Sequence, residues 1–376
     1  MKRRYLLIAL TALLAFSCSG PERTVSGLDS QDFISTVKGK STALYTIQNN
    51  NGMEVCLTNY GGRIVSVMVP DRKGCLRDVV LGFDNIHDYM NISNNFGATI
   101  GRYGNRIDHG RITIDGTVYQ LPQNNYGHCL HGGPEGWDHK IMDVRDISDS
   151  SLTFTLTSPD GEAGFPGNVE ASVKMTVTDQ NELKLEYIAR TDKKTVINMT
   201  NHSYFNLSGT PDEGVLDHIM YVNADGYTPI DSTFMTSGDI ESVSGTPMDF
   251  RVPKQIGKDI NDDFEQLKNG RGYDHNWVLN TKGSLKEPAA TLYSEKSGIK
   301  MTVFTDEPGI QIYSGNFLNG EINGKKGMTY IHRASICMET QHYPDSPNKT
   351  EWPSVIVEPG QTYTSTCIYK FTVEKQ

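Results

Sequence analysis

Five short strings concentrate the side chains able to exchange protons or grip a polar ligand. Ile100-Gly101-Arg102-Tyr103-Gly104-Asn105-Arg106-Ile107 sets an amide beside a guanidinium after two glycines. Leu130-His131-Gly132-Gly133 puts an imidazole before a glycine pair, where backbone can approach a ligand closely. Asn201-His202-Ser203-Tyr204-Phe205-Asn206-Leu207 flanks a second imidazole with amide, hydroxyl and aromatic groups. Tyr273-Asp274-His275-Asn276-Trp277 offers an acid among aromatics. Met338-Glu339-Thr340-Gln341-His342-Tyr343-Pro344-Asp345-Ser346-Pro347-Asn348 ends a strand pattern with a carboxylate and a proline-fixed loop. Carboxylates near pKa ~4.3 and imidazoles near ~6.5 are the groups best suited to general acid–base work close to neutrality. Each string also has a structural reading. Asp274 could cap a turn, Arg106 could pair with a carboxylate, and Trp137 and Trp277 suit a core. His128 and His131 have a metal-like i, i+3 spacing, but glycines adjoin them and no third ligand follows at a sensible distance. No phosphate-binding loop, dinucleotide fingerprint, zinc-protease helix or nucleophile elbow is present.

The elements that must position these groups read as strands. Ala43–Gln48 and Met53–Asn59 flank Asn49-Asn50-Asn51-Gly52, a hairpin signal because Asn-Gly tolerates positive φ. Ile64–Val69 reaches a second turn at Pro70-Asp71-Arg72-Lys73-Gly74. Leu152–Thr157, Glu170–Thr178 and Glu182–Arg190 alternate with period two, as do Met301–Thr305, Ile310–Ser314, Ala334–Thr340 and Thr362–Val373. Helical patterns are confined to Ile86–Asn91 and Asp259–Leu267. With 36 Gly and 16 Pro and no interior linker or clean repeat, the pattern predicts one large antiparallel β-sandwich.

Composition bounds the partners. Hydrophobic residues at 37% supply a sizeable core and exclude global disorder. Residues 1–18 hold Lys2, Arg3 and Arg4 but no acid, so the remainder carries 32 basic against 45 acidic residues, net −13. No nucleic-acid partner is expected of such a chain. Met1–Tyr5, the apolar run Leu6–Phe16 and Ser17-Cys18 have the layout of an export signal. Ala15-Phe16-Ser17-Cys18 resembles a bacterial lipoprotein signal with Cys18 as the lipidated residue, although Ala15 and Phe16 depart from the usual pattern. Plain cleavage beside Ser17 or Ser19 is the alternative. The expected organisation is a signal over 1–18, a Ser-, Gly- and charge-rich tether over 19–40 with a short ordered piece at Phe33–Val37, and a folded domain over 41–376. Of the other five cysteines none forms a C-x-x-C or C-x-x-H cluster, which favours small buried hydrophobes over a disulfide framework or zinc site.

Taken together and in order, the strings resemble the aldose 1-epimerase (galactose mutarotase) family from about Leu44 to Val373. Asn59-Tyr60-Gly61-Gly62-Arg63-Ile64, Val69-Pro70-Asp71-Arg72-Lys73-Gly74 and Val80-Leu81-Gly82-Phe83-Asp84 match the family's opening. Gly104 stands where many members have Ala, and Trp277 where other aromatics occur. The resemblance implies an all-β, galactose mutarotase-like β-supersandwich with few short helices. It implies interconversion of the α and β anomers of free aldoses, without metal or other cofactor. By position it implies Glu339 as general base and His202 as general acid. Arg106, His131 and Asp274 then bind sugar hydroxyls, with Asn105 and Gln311 as secondary contacts.

That chemistry needs a proton taken from the anomeric hydroxyl and one delivered to the ring oxygen. His202 is mostly neutral at pH 7 unless a negative charge lies nearby, and Asp274 or Glu339 is expected to supply it. Competing readings are a hexose-6-phosphate epimerase of the same fold, a glycoside hydrolase or lyase using Glu339, and a non-catalytic carbohydrate-binding lipoprotein. The expected partner is a free monosaccharide. Membrane association is expected only through an N-terminal lipid anchor, with a periplasmic address and a monomeric or dimeric state.

Overall fold

A computed structural model of the chain describes residues 24–92 and 95–374. The leader and Cys18 lie outside the described residues. Strict alternation writes the largest sheet. Along Glu182–Thr191, Leu183, Leu185, Tyr187 and Ala189 are buried while Lys184, Glu186 and Ile188 take the opposite, more exposed face. This strand pairs antiparallel with Val169–Val177 on one side and Thr362–Val373 on the other. Among the described residues the sheet has nine strands, ordered from Asp143–Arg145 and Ser151–Ser158 through these three to Ile299–Thr305, Ala290–Tyr293, Ile219–Val222 and Lys254–Gln255. Its inner face meets a six-stranded sheet built on Asp274–Leu279, Gly309–Tyr313 and Ile336–Gln341, and the two share one apolar core. The hairpin signal at 49–52 is realised between Leu44–Gln48 and Glu54–Thr58, within a four-stranded sheet. The expected all-β supersandwich is the observed architecture.

Helix is scarce, as the sequence predicts. Ile86–Asn91 is an α-helix capped by the Asn85 side chain. The second helix runs over Glu265–Gly270, several residues later than the expected Asp259–Leu267. The turn-forming stretch Asn261-Asp262-Asp263 delays it, and Arg271 closes it in the left-handed region at φ 56°. Among the described residues no helix is long and apolar enough to cross a membrane. Cys56, Cys129, Cys337 and Cys367 are buried and pack as small apolar groups, whereas Cys75 is exposed.

The tether expected over 19–40 is corrected from residue 24 onward. Leu28 and Phe33 are buried in a cluster that includes Val65, Phe83 and Tyr89. The backbone N–H groups of Val25 and Ser26 donate to the Glu54 carboxylate at 3.0 and 3.2 Å. The ordered piece expected at Phe33–Val37 is present, as the end of the 3-10 turn Ser30–Phe33 and the short strand Thr36–Val37, whereas polar composition masked Leu28. Phe33→Ala is therefore expected to lower the unfolding free energy by about 3–5 kcal/mol, the cost of a buried Phe truncation. Urea denaturation checks this, and a change below about 1 kcal/mol would restore the tether reading.

Candidate active site

The cleft begins with strand register. In the six-stranded sheet Asn276 lies opposite Gln311, and Gln311 opposite Glu339. Side chains alternate across a sheet, so the intervening Trp277, Ile310, Ile312 and Met338 enter the core. Glu339 and Asp274 thus share the face that looks away from that core. His202 arrives from a separate ladder in which Thr200–His202 pairs with Ala98–Ile100. Its Nε2 comes to 3.6 Å from Glu339 Oε1. That is too long for a hydrogen bond and short enough for one small group to touch both.

A third ladder joins Arg106–Ile107 to Cys129–Leu130 and brings in Asn105, Arg106 and His131. Asn105 and His131 both adopt left-handed backbone, at φ 64° and 54°, which is strained for residues with a Cβ. They hold one another there. The His131 N–H donates to the Asn105 carbonyl, and the Asn105 N–H donates to His131 Nδ1, each at 3.1 Å. Gly132 follows at φ 82°, where a Cβ would come within 2.4 Å of the Gly101 carbonyl oxygen. The Pro-Asp-Ser-Pro-Asn loop clamps the ladder from behind. Asp345 N–H donates to the Arg106 carbonyl at 2.8 Å, and its carboxylate accepts the Asp108 N–H at 2.9 Å.

The resulting cavity measures about 360 Å³ and is lined by Glu339, His202, His131, Arg106, Asn105 and Asp274 among others. Six of the seven residues singled out from the sequence therefore converge on it. Gln311 does not line it. Its Nε2 donates to Asp274 Oδ1 at 2.8 Å, so it supports the acid from behind. Asp274 is fixed a second way, by its own N–H donating to His275 Nδ1 at 3.1 Å. Trp137 and Trp277 are core residues, as expected. Sequence reasoning missed Asn95, Asn125, Leu130, His139, Tyr204, Tyr313 and Phe317 as cavity residues. Asn125 holds the Arg106 Nε at 3.1 Å, and the Tyr204 ring stacks on His202 at 5.0 Å. Only Leu130 and Tyr204 lay inside a recognised string.

Burial dominates the electrostatics. It pushes Glu339 well above the usual carboxylate range, and Asp274 adds to this while Arg106 opposes it. Burial also raises Asp274, against the pull of Arg106 and Gln311. It lowers His202 to about 4, although Asp138 favours the charged ring. The negative charge that favours the His202 imidazolium comes from Asp138 rather than from the expected Asp274 or Glu339, and desolvation outweighs it. Burial thus disfavours the charged form of both groups.

His131, His202 and Glu339 each bring a ligand-type atom within 4.8 Å of the others, a spacing that suits a metal ion. His131 argues against it. Its Nδ1 lone pair is filled by the Asn105 N–H, so in the neutral ring Nε2 carries the proton and donates.

The chain superposes on an aldose epimerase homologue from C. elegans with a TM-score of 0.83, at 32% identity, covering 89% of this chain and 100% of that one. A galactose 1-epimerase from Lactobacillus acidophilus gives 0.80 at 29% identity, covering 91% and 97%. The architecture is accordingly a galactose mutarotase-like β-supersandwich. Residues 43–370 match the aldose 1-epimerase family. Aldose 1-epimerase of Escherichia coli K12 is 38% identical over 338 residues, 89% of this chain and 97% of that one. Galactose mutarotase of Bos taurus is 39% identical over 322 residues, 85% and 92%. The chain belongs to the aldose 1-epimerase family.

A carboxyl raised by burial favours folding below its unfolded pKa, and that contribution is lost as pH rises toward the folded value. Relative to Glu339→Gln, the wild-type protein should therefore lose stability above about pH 4.3, by up to ~1.4 kcal/mol per pH unit until the folded pKa is passed. Denaturant titrations from pH 4 to 8 check this. A constant difference between the two proteins would show that Glu339 is not forced toward its neutral form.

Proposed function

We propose that this enzyme interconverts the α and β anomers of free aldohexoses such as glucose and galactose by acid–base opening and closing of the pyranose ring. The observation that carries this reading is the Glu339–His202 pair, 3.6 Å apart at the wall of a polar cavity. In ring opening, Glu339 takes the proton of the anomeric hydroxyl. The imidazolium of His202 gives its proton to the ring oxygen, the bond from that oxygen to C1 breaks, and C1 becomes a carbonyl carbon. Rotation about the C1–C2 bond presents the other carbonyl face. Closure returns the proton from Glu339 and restores that of His202.

The pair needs one proton in all, and burial disfavours the charged form of each partner. The neutral pair, with the proton on Glu339, is the distribution reached once the ring has opened. Arg106 favours the carboxylate and Asp138 the imidazolium, and bound hydroxyls have to add to both for the cyclic sugar. Equal proton count lets the same two groups serve both directions of exchange. Arg106, His131 and Asn105 supply donors to sugar hydroxyls, and Asp274 supplies an acceptor. No redox or metal step enters this bookkeeping.

Glu339→Gln and His202→Asn are each expected to slow anomer exchange at least ~10²-fold, the scale of one lost acid–base group, with folding retained. Polarimetry on fresh α-glucose and α-galactose, corrected for the spontaneous rate, measures it. Near-normal turnover in either variant rejects the assignment.

We further propose export and anchoring through a lipid on Cys18, supported by Lys2-Arg3-Arg4, the apolar run Leu6–Phe16 and Ala15-Phe16-Ser17-Cys18. Cys18→Ser should move the enzyme from the membrane fraction to the soluble fraction. Release of the unsubstituted protein into the soluble fraction would sink the anchor.

A further inference from the structure

His139 lines the same cavity but belongs to none of the strings that marked the site. It ends the turn Trp137–His139, and its Nδ1 lies 3.0 Å from Asp138 Oδ2. The Asp138 side chain is only 5% exposed whereas that of His139 is 49% exposed. A buried carboxylate therefore holds one nitrogen of a ring whose other nitrogen, Nε2, is left for a ligand. The turn is rigidly placed. Trp137 N–H donates to the Gly101 carbonyl at 3.1 Å, Gly61 N–H donates to the Lys140 carbonyl at 2.7 Å, and Arg63 Nη2 donates to the Asp138 carbonyl at 3.0 Å.

The cavity has two flanks. Arg106 comes from the ladder with Cys129–Leu130, whereas the turn Trp137–His139 is bonded to Gly101, next to Ala98–Ile100, the strand paired with Thr200–His202. Arg63 donates to the carbonyls of both Asp138 and Phe96, the Phe96 ring packs on Tyr204 and Tyr204 stacks on His202, so His139, adjoining Asp138, stands on the His202 flank. The connectivity of a pyranose turns this into chemistry. The ring oxygen, where His202 works, is bonded to C1 and to C5, and C5 carries the exocyclic C6. The hydroxyls on C2 to C4 run the other way round the ring. A sugar whose ring oxygen faces His202 extends C6 along the His202 flank.

We infer that His139, held by the buried Asp138, contacts the oxygen on C6 of a bound aldohexose and so sets preference for hexoses over pentoses. The inference rests on the epimerase reading, because it takes the ring oxygen to lie at His202. With Nδ1–H directed at the Asp138 carboxylate, Nε2 of the neutral ring presents a lone pair that accepts the proton of the hydroxymethyl group.

The test uses D-glucose and D-xylose, whose pyranose rings differ only in the presence of C6. Polarimetry or NMR line exchange gives kcat/KM for each sugar with the wild-type enzyme and with His139→Ala. The glucose-to-xylose ratio should fall about five- to tenfold in the variant, the scale of one lost hydrogen bond. A ratio equal to that of the wild-type enzyme overturns the role of His139, whether or not both rates decline together. Failure of the wild-type enzyme to accelerate either sugar would instead overturn the epimerase reading itself. Should the Ala variant not fold, His139→Phe carries the same comparison, since its ring fills the site without a nitrogen.

Discussion

Everything in the cleft hangs on the register between Gly309–Tyr313 and Ile336–Gln341. That pairing sets Glu339 opposite Gln311 and turns both toward the polar side, while Ile310, Ile312 and Met338 turn into the core. Period-two geometry leaves no intermediate arrangement. A slip by one residue would send Glu339 into the hydrocarbon interior and bring Met338 into the cleft. The same pattern that buries the apolar side chains therefore fixes the carboxylate, so folding and function draw on one constraint.

Desolvation is the second half of that constraint. The strands carrying Asp274, Gln311 and Glu339 are buried on both faces, which places titratable groups where water cannot support their charge. Arg106 is the buried cation that opposes this for both acids. It is itself held by Asn125 and by the loop around Asp345. The cost in stability and the readiness to pass a proton have the same origin.

Much of this was legible in the residues. Alternation along Glu182–Thr191 gives the strand and its buried face, and Asn-Gly gives the first hairpin. The ordered strings give six residues that meet in one cavity although they span positions 105 to 339. Two kinds of information were not legible. Gln311 looks like a ligand-binding amide in sequence, and only its side-chain hydrogen bond to Asp274 shows that it supports that acid. His139 has no local signal, because its place is set by a turn whose hydrogen bonds go to Gly61, Arg63 and Gly101, far away in the chain. Leu28 was hidden for a simpler reason. One buried apolar side chain in a polar stretch carries no periodicity, and its burial depends on a sheet formed later in the sequence.

The mutual clasp of Asn105 and His131 reaches further than holding a strained backbone. Because the Asn105 amide occupies Nδ1, His131 in its neutral form meets a ligand as a hydrogen-bond donor, and the neighbouring Arg106 guanidinium has donors alone. An ammonium group has only protons to offer. At the corner served by these two residues an amino sugar in its cationic form finds no lone pair to receive it and a like charge beside it. The cleft is thereby biased against cationic aminosugars by the direction of a single backbone amide.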